Sequence, residues 1–199
     1  DEIKGLFVRR FKLDVEDEAG ENFQDRETRL HRIQASAEEE IVLEEIENLS
    51  FQAKTKGEAL FKVTLLKAFL SSPGALIETI THRIATLNRE LNAKQGDSSK
   101  LQTDIKTLER LSGIAEKVTP KHFTKLSEFK TQLMNVGWTG QTSSPRVIVF
   151  SERINTLEML KAYLKTEFKI KGDVIDLFHA GLPDSEQQRI VDDFGKGDA

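Results

Sequence analysis

The sequence predicts an α/β protein that is mostly helical, in which a long helical protrusion precedes the beginning of a parallel sheet. Two observations carry this prediction. Apolar residues recur at helical spacing through most of residues 36–136. After a Gly/Thr/Ser/Pro stretch at Thr139–Pro145, which we interpret as a linker, they form short continuous runs instead. Such runs are typical of strands whose two faces are both covered, so the architecture is predicted to change across this stretch.

Composition excludes several classes of function. The 199 residues contain no Cys, which excludes disulfide scaffolds, thiolate metal sites and thiol catalysis. The net charge is −4, and 38% of the residues are hydrophobic, which is too many for a disordered chain. The longest apolar stretch, Leu60–Leu70, is interrupted by Lys62 and Lys67, so we expect no membrane span. No secretory signal is visible at the start, and we expect a cytoplasmic protein.

The first part of the chain is charged and leads into helices. Residues 1–35 form a connecting segment, in which the alternation of apolar and polar residues at Leu30–Gln34 predicts a short edge strand. Ser36 and Glu39 have the spacing of a capping box, in which each side chain bonds the backbone amide of the other residue. The sequence therefore predicts a helix that begins at this point and a second helix over about Gly57–Leu70.

A helical hairpin is predicted next. Isoleucines and leucines recur every three or four residues on both sides of a polar loop at Asn92–Ser99, which is typical of two antiparallel helices over about 75–118. A further helix is predicted over about Lys121–Val136, before Gly137. The predicted helical region spans 36–138. We expect one side of the hairpin to carry six basic residues, namely Arg83, Arg89, Lys94, Lys100, Lys106 and Arg110.

Residues 145–199 predict a strand–helix–strand unit. Val147–Phe150 and Asp173–Phe178 are the two apolar runs, and a helix begins between them at about Thr156. Such a unit has parallel strands and a right-handed crossover. A last helix is predicted over Asp184–Phe194. Because a doubly wound sheet needs more strands than these two, we expect the chain to be part of a larger protein.

No active site is recognisable in the sequence. A phosphate-binding loop of the form G-x-x-x-x-G-K-[ST] is absent. The four histidines lack the spacing of metal ligands, and no pair of residues qualifies as nucleophile and base. We therefore predict no catalytic residue and no metal ligand in this chain.

Four segments follow one another in an order that is found in a known family. They are Phe7–Val15 (FVRRFKLDV), Ser71–Leu76 (SSPGAL), Pro145–Leu164 (PRVIVFSERINTLEMLKAYL) and Phe178–Leu182 (FHAGL), the last of which precedes a helix with Arg189 and Phe194. Together they resemble the Swi/Snf type of superfamily II helicases, and more closely the bacterial DNA-dependent ATPases of that type. There, an Arg-Arg-x-Lys-x-Asp-Val element connects two RecA-like lobes, and a helical region can precede the second lobe. Ala180 and Pro183 depart from the family pattern, in which Gly and a Ser or Thr cap are usual.

The resemblance implies a larger motor of which this chain is a middle part. Residues 1–35 would connect the two lobes, 36–138 would be a helical insertion, and 145–199 would open a second lobe with an incomplete parallel RecA-like sheet. The parent protein would be an ATP hydrolase that uses ATP and Mg, whereas this chain alone would bind neither and be inactive. Its partners would be double-stranded DNA, the missing first lobe and the remainder of the second lobe. The unpaired edge of a truncated sheet separately predicts self-association of the isolated chain. We expect no membrane contact and a location at the nucleoid.

In this family each lobe grips the phosphate backbone of one DNA strand. The resemblance assigns nucleic-acid contacts to two loops, with the residues Ser151, Arg153, Thr156, His179, Ala180 and Gly181. It assigns coupling between the lobes, or contact with DNA, to Arg9, Arg10 and Lys12, for which surface ion pairs are an alternative interpretation. Helix capping by Ser151 and Thr156 and a purely structural turn at His179 remain alternative interpretations. Two other functions also remain open: a non-enzymatic helical protein-interaction module, and an RNA helicase of another superfamily II branch.

Overall fold

The computed structural model describes residues 27–53, 58–141 and 143–196. The chain forms two units, Asp1–Arg32 and Ile33–Ala199. Of the first unit only residues 27–32 are described; they have no regular secondary structure, and Arg29 pairs with Glu27. The described part of the second unit contains seven helices. They are α1 (Ala37–Asn48), α2 (Glu58–Ser71), α3 (Pro73–Asn92), α4 (Ser98–Ala115), α5 (Thr124–Asn135), α6 (Ile154–Glu167) and α7 (Asp184–Lys196).

The predicted capping box at the start of α1 is confirmed. The Ser36 hydroxyl accepts a hydrogen bond from the Glu39 amide at 3.1 Å, and Glu39 Oε2 accepts one from the Ser36 amide at 2.8 Å. The same carboxylate oxygen also accepts from the Thr124 amide at 3.3 Å and from the Thr124 hydroxyl at 2.8 Å. Phe123, at the N-cap of α5, provides no side-chain cap. Glu39 therefore caps the first turns of two helices.

Both helices of the predicted hairpin are present, as α3 and α4. Ser72 caps α3, because its hydroxyl accepts from the Ala75 amide at 3.1 Å. In the turn, Lys94 and Gly96 have positive φ angles of 53° and 83°. The Asp97 carboxylate then caps α4 by accepting from the amides of Ser99 and Lys100, and the bond from the Lys100 amide is the largest cause that lowers the pKa of Asp97. Local cap and turn chemistry thus sets the ends of both helices.

Helices α1 to α4 and the start of α5 enclose the main hydrophobic core. Its largest fully buried side chains are Phe69, Leu65, Leu76, Ile80, Leu87, Leu108, Leu111, Leu126 and Val42. Burial of each such side chain stabilises the fold by about 1.5–3 kcal/mol. One carboxylate lies inside this core: Asp104 on α4 accepts from the amides of Gln52 at 2.7 Å and Ala53 at 3.1 Å. Asp104 thereby connects helix α4 to the segment that comes directly after α1.

A second, smaller core joins α5 to α6. Leu133, Trp138 and Leu164 are its buried members, and Phe168 and Ile170 pack against them. The Thr139–Pro145 stretch, which we interpreted as a linker, is packed against this core. A Cβ added at Gly140 would lie 2.7 Å from Ile170 Cδ1. Gly140 also has a φ of +74°, a conformation that a residue with a side chain rarely adopts.

The predicted parallel sheet is wrong. The described residues contain no strand, and no backbone hydrogen bond joins Val147–Phe150 to Asp173–Phe178. The short edge strand predicted at Leu30–Gln34 is likewise absent. The prediction assumed that an apolar run has both faces covered, yet Ile148 is 61% exposed and Phe150 89% exposed. Without ladder hydrogen bonds or covered faces, nothing in the described structure stabilises a strand in either segment. The described fold is all-helical, and the α/β class is corrected accordingly.

None of the described helices has both the length and the apolar character that a membrane crossing requires.

Candidate nucleic-acid interface

Thr156, predicted to contact nucleic acid, lies inside the protein. It is only 6% exposed, and its Oγ1 lies 2.8 Å from Ser71 Oγ and 2.9 Å from Ser72 Oγ. Ser71 ends α2 and Ser72 caps α3, so three hydroxyls from three helix ends form one cluster, in which Ser72 and Thr156 are buried and Ser71 is half-buried. We call Ser71, Ser72 and Thr156 the hydroxyl cluster. Because these hydroxyls bond one another, the side chain of Thr156 is used within the protein.

Two further contacts dock the start of α6 against α3. Arg153 Nη1 donates to Thr79 Oγ1 at 3.3 Å. A Cβ added at Gly74 would lie 2.5 Å from Asn155 Oδ1, so the Asn155 side chain packs against Gly74 in space that a larger residue would fill. The beginning of α6 is therefore held by a side-chain hydrogen bond and by the packing of the Asn155 side chain on Gly74.

Ser151 and Arg153, also predicted to contact nucleic acid, form a tight turn before α6. Ser151 Oγ accepts from the Arg153 amide at 3.2 Å and donates to the Arg153 carbonyl at 3.3 Å. Both side chains are half-buried, and Glu152 between them is exposed. Arg153 is the N-cap residue of α6 and makes no side-chain cap bond. The first amides of α6 thus receive no side-chain cap from Arg153, whose positively charged side chain belongs to the N-terminal end of the helix.

His179, Ala180 and Gly181 form the second predicted loop. His179 Nδ1 accepts from the Gly181 amide at 3.1 Å, and the Leu182 amide donates to the His179 carbonyl at 3.1 Å. A neutral imidazole that accepts through Nδ1 carries its proton on Nε2. Ala180 and Gly181 are exposed. No hydrogen bond or ion pair joins this loop to the Ser151–Thr156 turn among the described residues.

Two arginines connect α7 to the parts of the chain around the two apolar segments. Arg189 on α7 bonds Glu186 at 2.8 Å, Asp193 at 2.9 Å and Asp176 at 3.3 Å, and its hydrogen bond lowers the pKa of Glu186. Arg146 Nη1 donates to the carbonyl oxygens of Phe194 and Gly195 at the end of the helix. Its guanidinium lies 5.7 Å from the centre of the Phe194 ring. Sequence reasoning did not assign Arg146 a role.

The six basic residues of the hairpin do not share one face. Residues six positions apart on a helix, such as Arg83 and Arg89, point in directions about 120° apart around the helix axis. Several of the six are also engaged within the protein: Arg83 lies over the Phe61 ring at 5.6 Å, Arg110 pairs with Glu45, and Lys100 lies 3.5 Å from Asp97. The predicted basic side of the hairpin is therefore not supported.

The described residues do not fit ATP or Mg. One groove of about 690 Å³ is lined by Glu90, Asp97, Lys100 and five other residues, with a single lysine and no phosphate-binding loop. No group of three or more His, Asp or Glu residues in the described ranges could hold a metal ion. Arg9, Arg10 and Lys12, assigned to coupling between lobes, lie outside the described residues.

Comparison of the chain with protein-family models, curated proteins and solved structures finds no match.

Proposed function

We propose that the chain is part of an ATP-dependent DNA translocase of the Swi/Snf type, to which it contributes contacts with the duplex backbone and coupling between parts of the motor. The observation that carries this proposal is the contact between Ser71–Gly74 and Arg153–Thr156. Each of these segments belongs to a pattern that resembles the family, and they are 85 positions apart at their hydrogen-bonded ends. A chance resemblance in either segment does not require the two to meet in a buried cluster.

The start of α6 has features that suit a DNA phosphate. Helix N-terminal amides and the helix dipole attract anions, and Arg153 adds a full positive charge at the same end. The Ser151 hydroxyl lies in the same turn. Contacts with phosphates position a protein on the duplex without reading its sequence, as tracking along DNA requires. In this proposal the side chain of Thr156 serves structure, and its backbone lies in the DNA-contacting helix turn.

In this proposal the remaining parts of the motor belong to the larger protein that contains this chain. The phosphate-binding loop, the Mg ligands and the arginines that reach the nucleotide would lie in sequence on either side of this chain. The protein would act in the cytoplasm on nucleoid DNA, and Arg9, Arg10 and Lys12 would couple the two lobes.

The experiment begins with the gene on both sides of this chain. We expect a phosphate-binding loop upstream and an arginine-rich element downstream, and we expect duplex DNA to stimulate ATP hydrolysis by the purified full-length protein. Arg153→Gln should raise the DNA concentration that gives half-maximal stimulation. Lys121→Gln, which removes one exposed charge elsewhere, is the matched control and should not. The absence of both flanking elements, or hydrolysis indifferent to DNA, would refute the proposal.

A second candidate function is a helical protein-interaction module. The exposed side chains of Ile148, Phe150 and Phe178 favour it, because apolar groups that water surrounds are stabilised by contact with a partner. A full-length protein that binds no nucleotide would favour this function. Stimulation by duplex RNA in place of DNA would instead favour the RNA helicase alternative.

A further inference from the structure

We infer that Thr156 is a positioning residue, which holds the Ser151–Arg153 turn in one orientation on the helical region through Ser71 and Ser72. The inference rests on the proposed function, in which that turn contacts the DNA backbone. The Ser151–Arg153 turn ends at the N-cap residue of α6, and Thr156 lies three residues later in the first turn of that helix. Any shift of Thr156 relative to α2 and α3 is therefore passed directly to Ser151 and Arg153.

The hydroxyl cluster has a defined hydrogen-bond arrangement. Ser72 Oγ is fully buried and already accepts from the Ala75 amide, and its second bond joins Thr156 Oγ1 at 2.9 Å. Thr156 Oγ1 makes its own second bond with Ser71 Oγ at 2.8 Å. No buried side-chain nitrogen or oxygen lacks a partner among the described residues. A fully satisfied buried network of this kind favours one arrangement of the elements that it joins.

An apolar contact would hold α6 less specifically. Valine has the shape of threonine but no hydroxyl, so it would fill the same space while leaving Ser72 without its partner in a buried place. The helix could then slide or rotate against α3 at little cost in packing. The hydrogen bonds of the Thr156 hydroxyl thus fix the orientation of α6 on α3, and the surrounding apolar contacts contribute most of the stabilising free energy.

The neighbouring contacts support positioning. Arg153 is bonded to Thr79 and Asn155 lies against Gly74, so the residues on either side of Ile154 both meet α3. These two contacts join the beginning of α6 to the first two turns of α3. A movement of the helical region would in this way change the direction in which Arg153 is presented to DNA.

The test compares three variants of the 199-residue chain, with Thr156→Val, Thr156→Ser and Leu133→Ala. Leu133 is buried in the second core, where it packs with Leu164 near the end of α6, so its truncation weakens the packing of α6 without removing a bond of the hydroxyl cluster. The two readouts are hydrogen exchange of the amides in Ser151–Asn155 and anisotropy of a fluorescently labelled duplex at low salt. We expect Thr156→Val to speed exchange in that segment and to weaken duplex binding about tenfold, corresponding to the loss of one buried hydrogen bond. Thr156→Ser should restore both to within about twofold, because it retains the hydroxyl.

The outcomes separate the two claims. Unchanged exchange in Thr156→Val, or equal acceleration in Leu133→Ala, overturns the positioning inference. Duplex binding that Thr156→Val leaves intact overturns it as well, while the proposed function stands. If the unsubstituted chain binds no duplex, the proposed function loses its support in this chain, and hydrogen exchange alone then decides whether Thr156 positions the turn.

Discussion

The ring of Trp138 stands edge-on to the ring of Phe168, with centroids 5.1 Å apart and planes at 82°. Aromatic pairs in this geometry are stabilised by about 0.5–1.5 kcal/mol beyond the burial of their surface. Trp138 is the only tryptophan in the sequence, and it lies in the core that joins α5 to α6. Its fluorescence therefore reports whether that core is packed.

The first prediction concerns Gly140. Gly140→Ala should destabilise the chain by more than about 2 kcal/mol, because a positive φ costs a side chain about 1–2 kcal/mol and the new methyl group would meet Ile170 at 2.7 Å. Urea unfolding followed by Trp138 fluorescence measures the change. The control is Gly113→Ala on α4, where the added Cβ has no neighbour within 4 Å. This control should stabilise by about 0.5–1 kcal/mol. Equal effects at the two glycines would contradict the packing described for Gly140.

The second prediction concerns the buried carboxylate of Asp104. Asp104→Asn should reduce the free energy of unfolding by about 2–3 kcal/mol. The amide has one accepting oxygen, so its NH2 group would face one of the two backbone amides that the carboxylate now accepts from, those of Gln52 and Ala53. Glu109→Gln, at an exposed position on the same helix, should change it by less than about 0.5 kcal/mol. If Asp104→Asn left the free energy of unfolding unchanged, the pairing would contribute nothing to stability.

The third prediction is a loss of α5–α6 packing at alkaline pH. Lys130 Nζ lies 2.6 Å from Glu167 Oε2, and this hydrogen bond raises the pKa of Lys130 above its ordinary 10.5. Burial raises the pKa of Tyr163 above its ordinary 10.0. A group whose pKa is raised on folding stabilises the fold fully below its ordinary pKa, and this stabilisation disappears as the pH rises through the raised value.

We therefore expect Trp138 emission to shift towards that of an exposed indole above about pH 10. Lys130→Met removes the titrating ammonium, so its alkaline transition should be smaller, while the contribution of Tyr163 should remain. A transition of unchanged size in that variant would mean that Lys130 does not contribute to it.

The fourth prediction is self-association through the apolar side chains of Ile148 and Phe150. Covering one phenylalanine side chain contributes about 1.5–3 kcal/mol, so two copies that bury Phe150 gain free energy from both. Light scattering at increasing concentration should detect dimers, and Phe150→Asp should abolish them. Leu60→Asp, at an exposed position on α2, should leave them unchanged. A chain that remains monomeric at high concentration would refute this prediction.

Local patterns predicted the helices, because their signals lie within a few residues. The capping box of Ser36 and Glu39 and the apolar spacing of the hairpin depend on neighbours three or four positions away, and both features are present. Asp97 shows the same principle, since its carboxylate caps α4 through the two amides that follow closely.

Contacts between distant residues were beyond the same reasoning. Val147–Phe150 has the composition of a buried strand, but composition alone does not provide the neighbour that a strand needs. The sequence offered Thr156 as a phosphate contact or a cap, and neither alternative includes its bonds with Ser71 and Ser72. Gly140 was interpreted as part of a linker, because the nearness of Ile170 follows only from the way that α5 and α6 pack.

The shared oxygen of Glu39 has a consequence for the order in which the molecule assembles. Helix α5 obtains its N-terminal acceptor from a residue 85 positions earlier, so the first turn of α5 is left uncapped until α1 is in place. During synthesis Glu39 is made before α5, so its carboxylate has no bond with Thr124 until α5 forms. A deletion near residue 39 would consequently be felt 85 positions later in the chain, where a proteolytic nick or faster local opening around Thr124 would be its first sign.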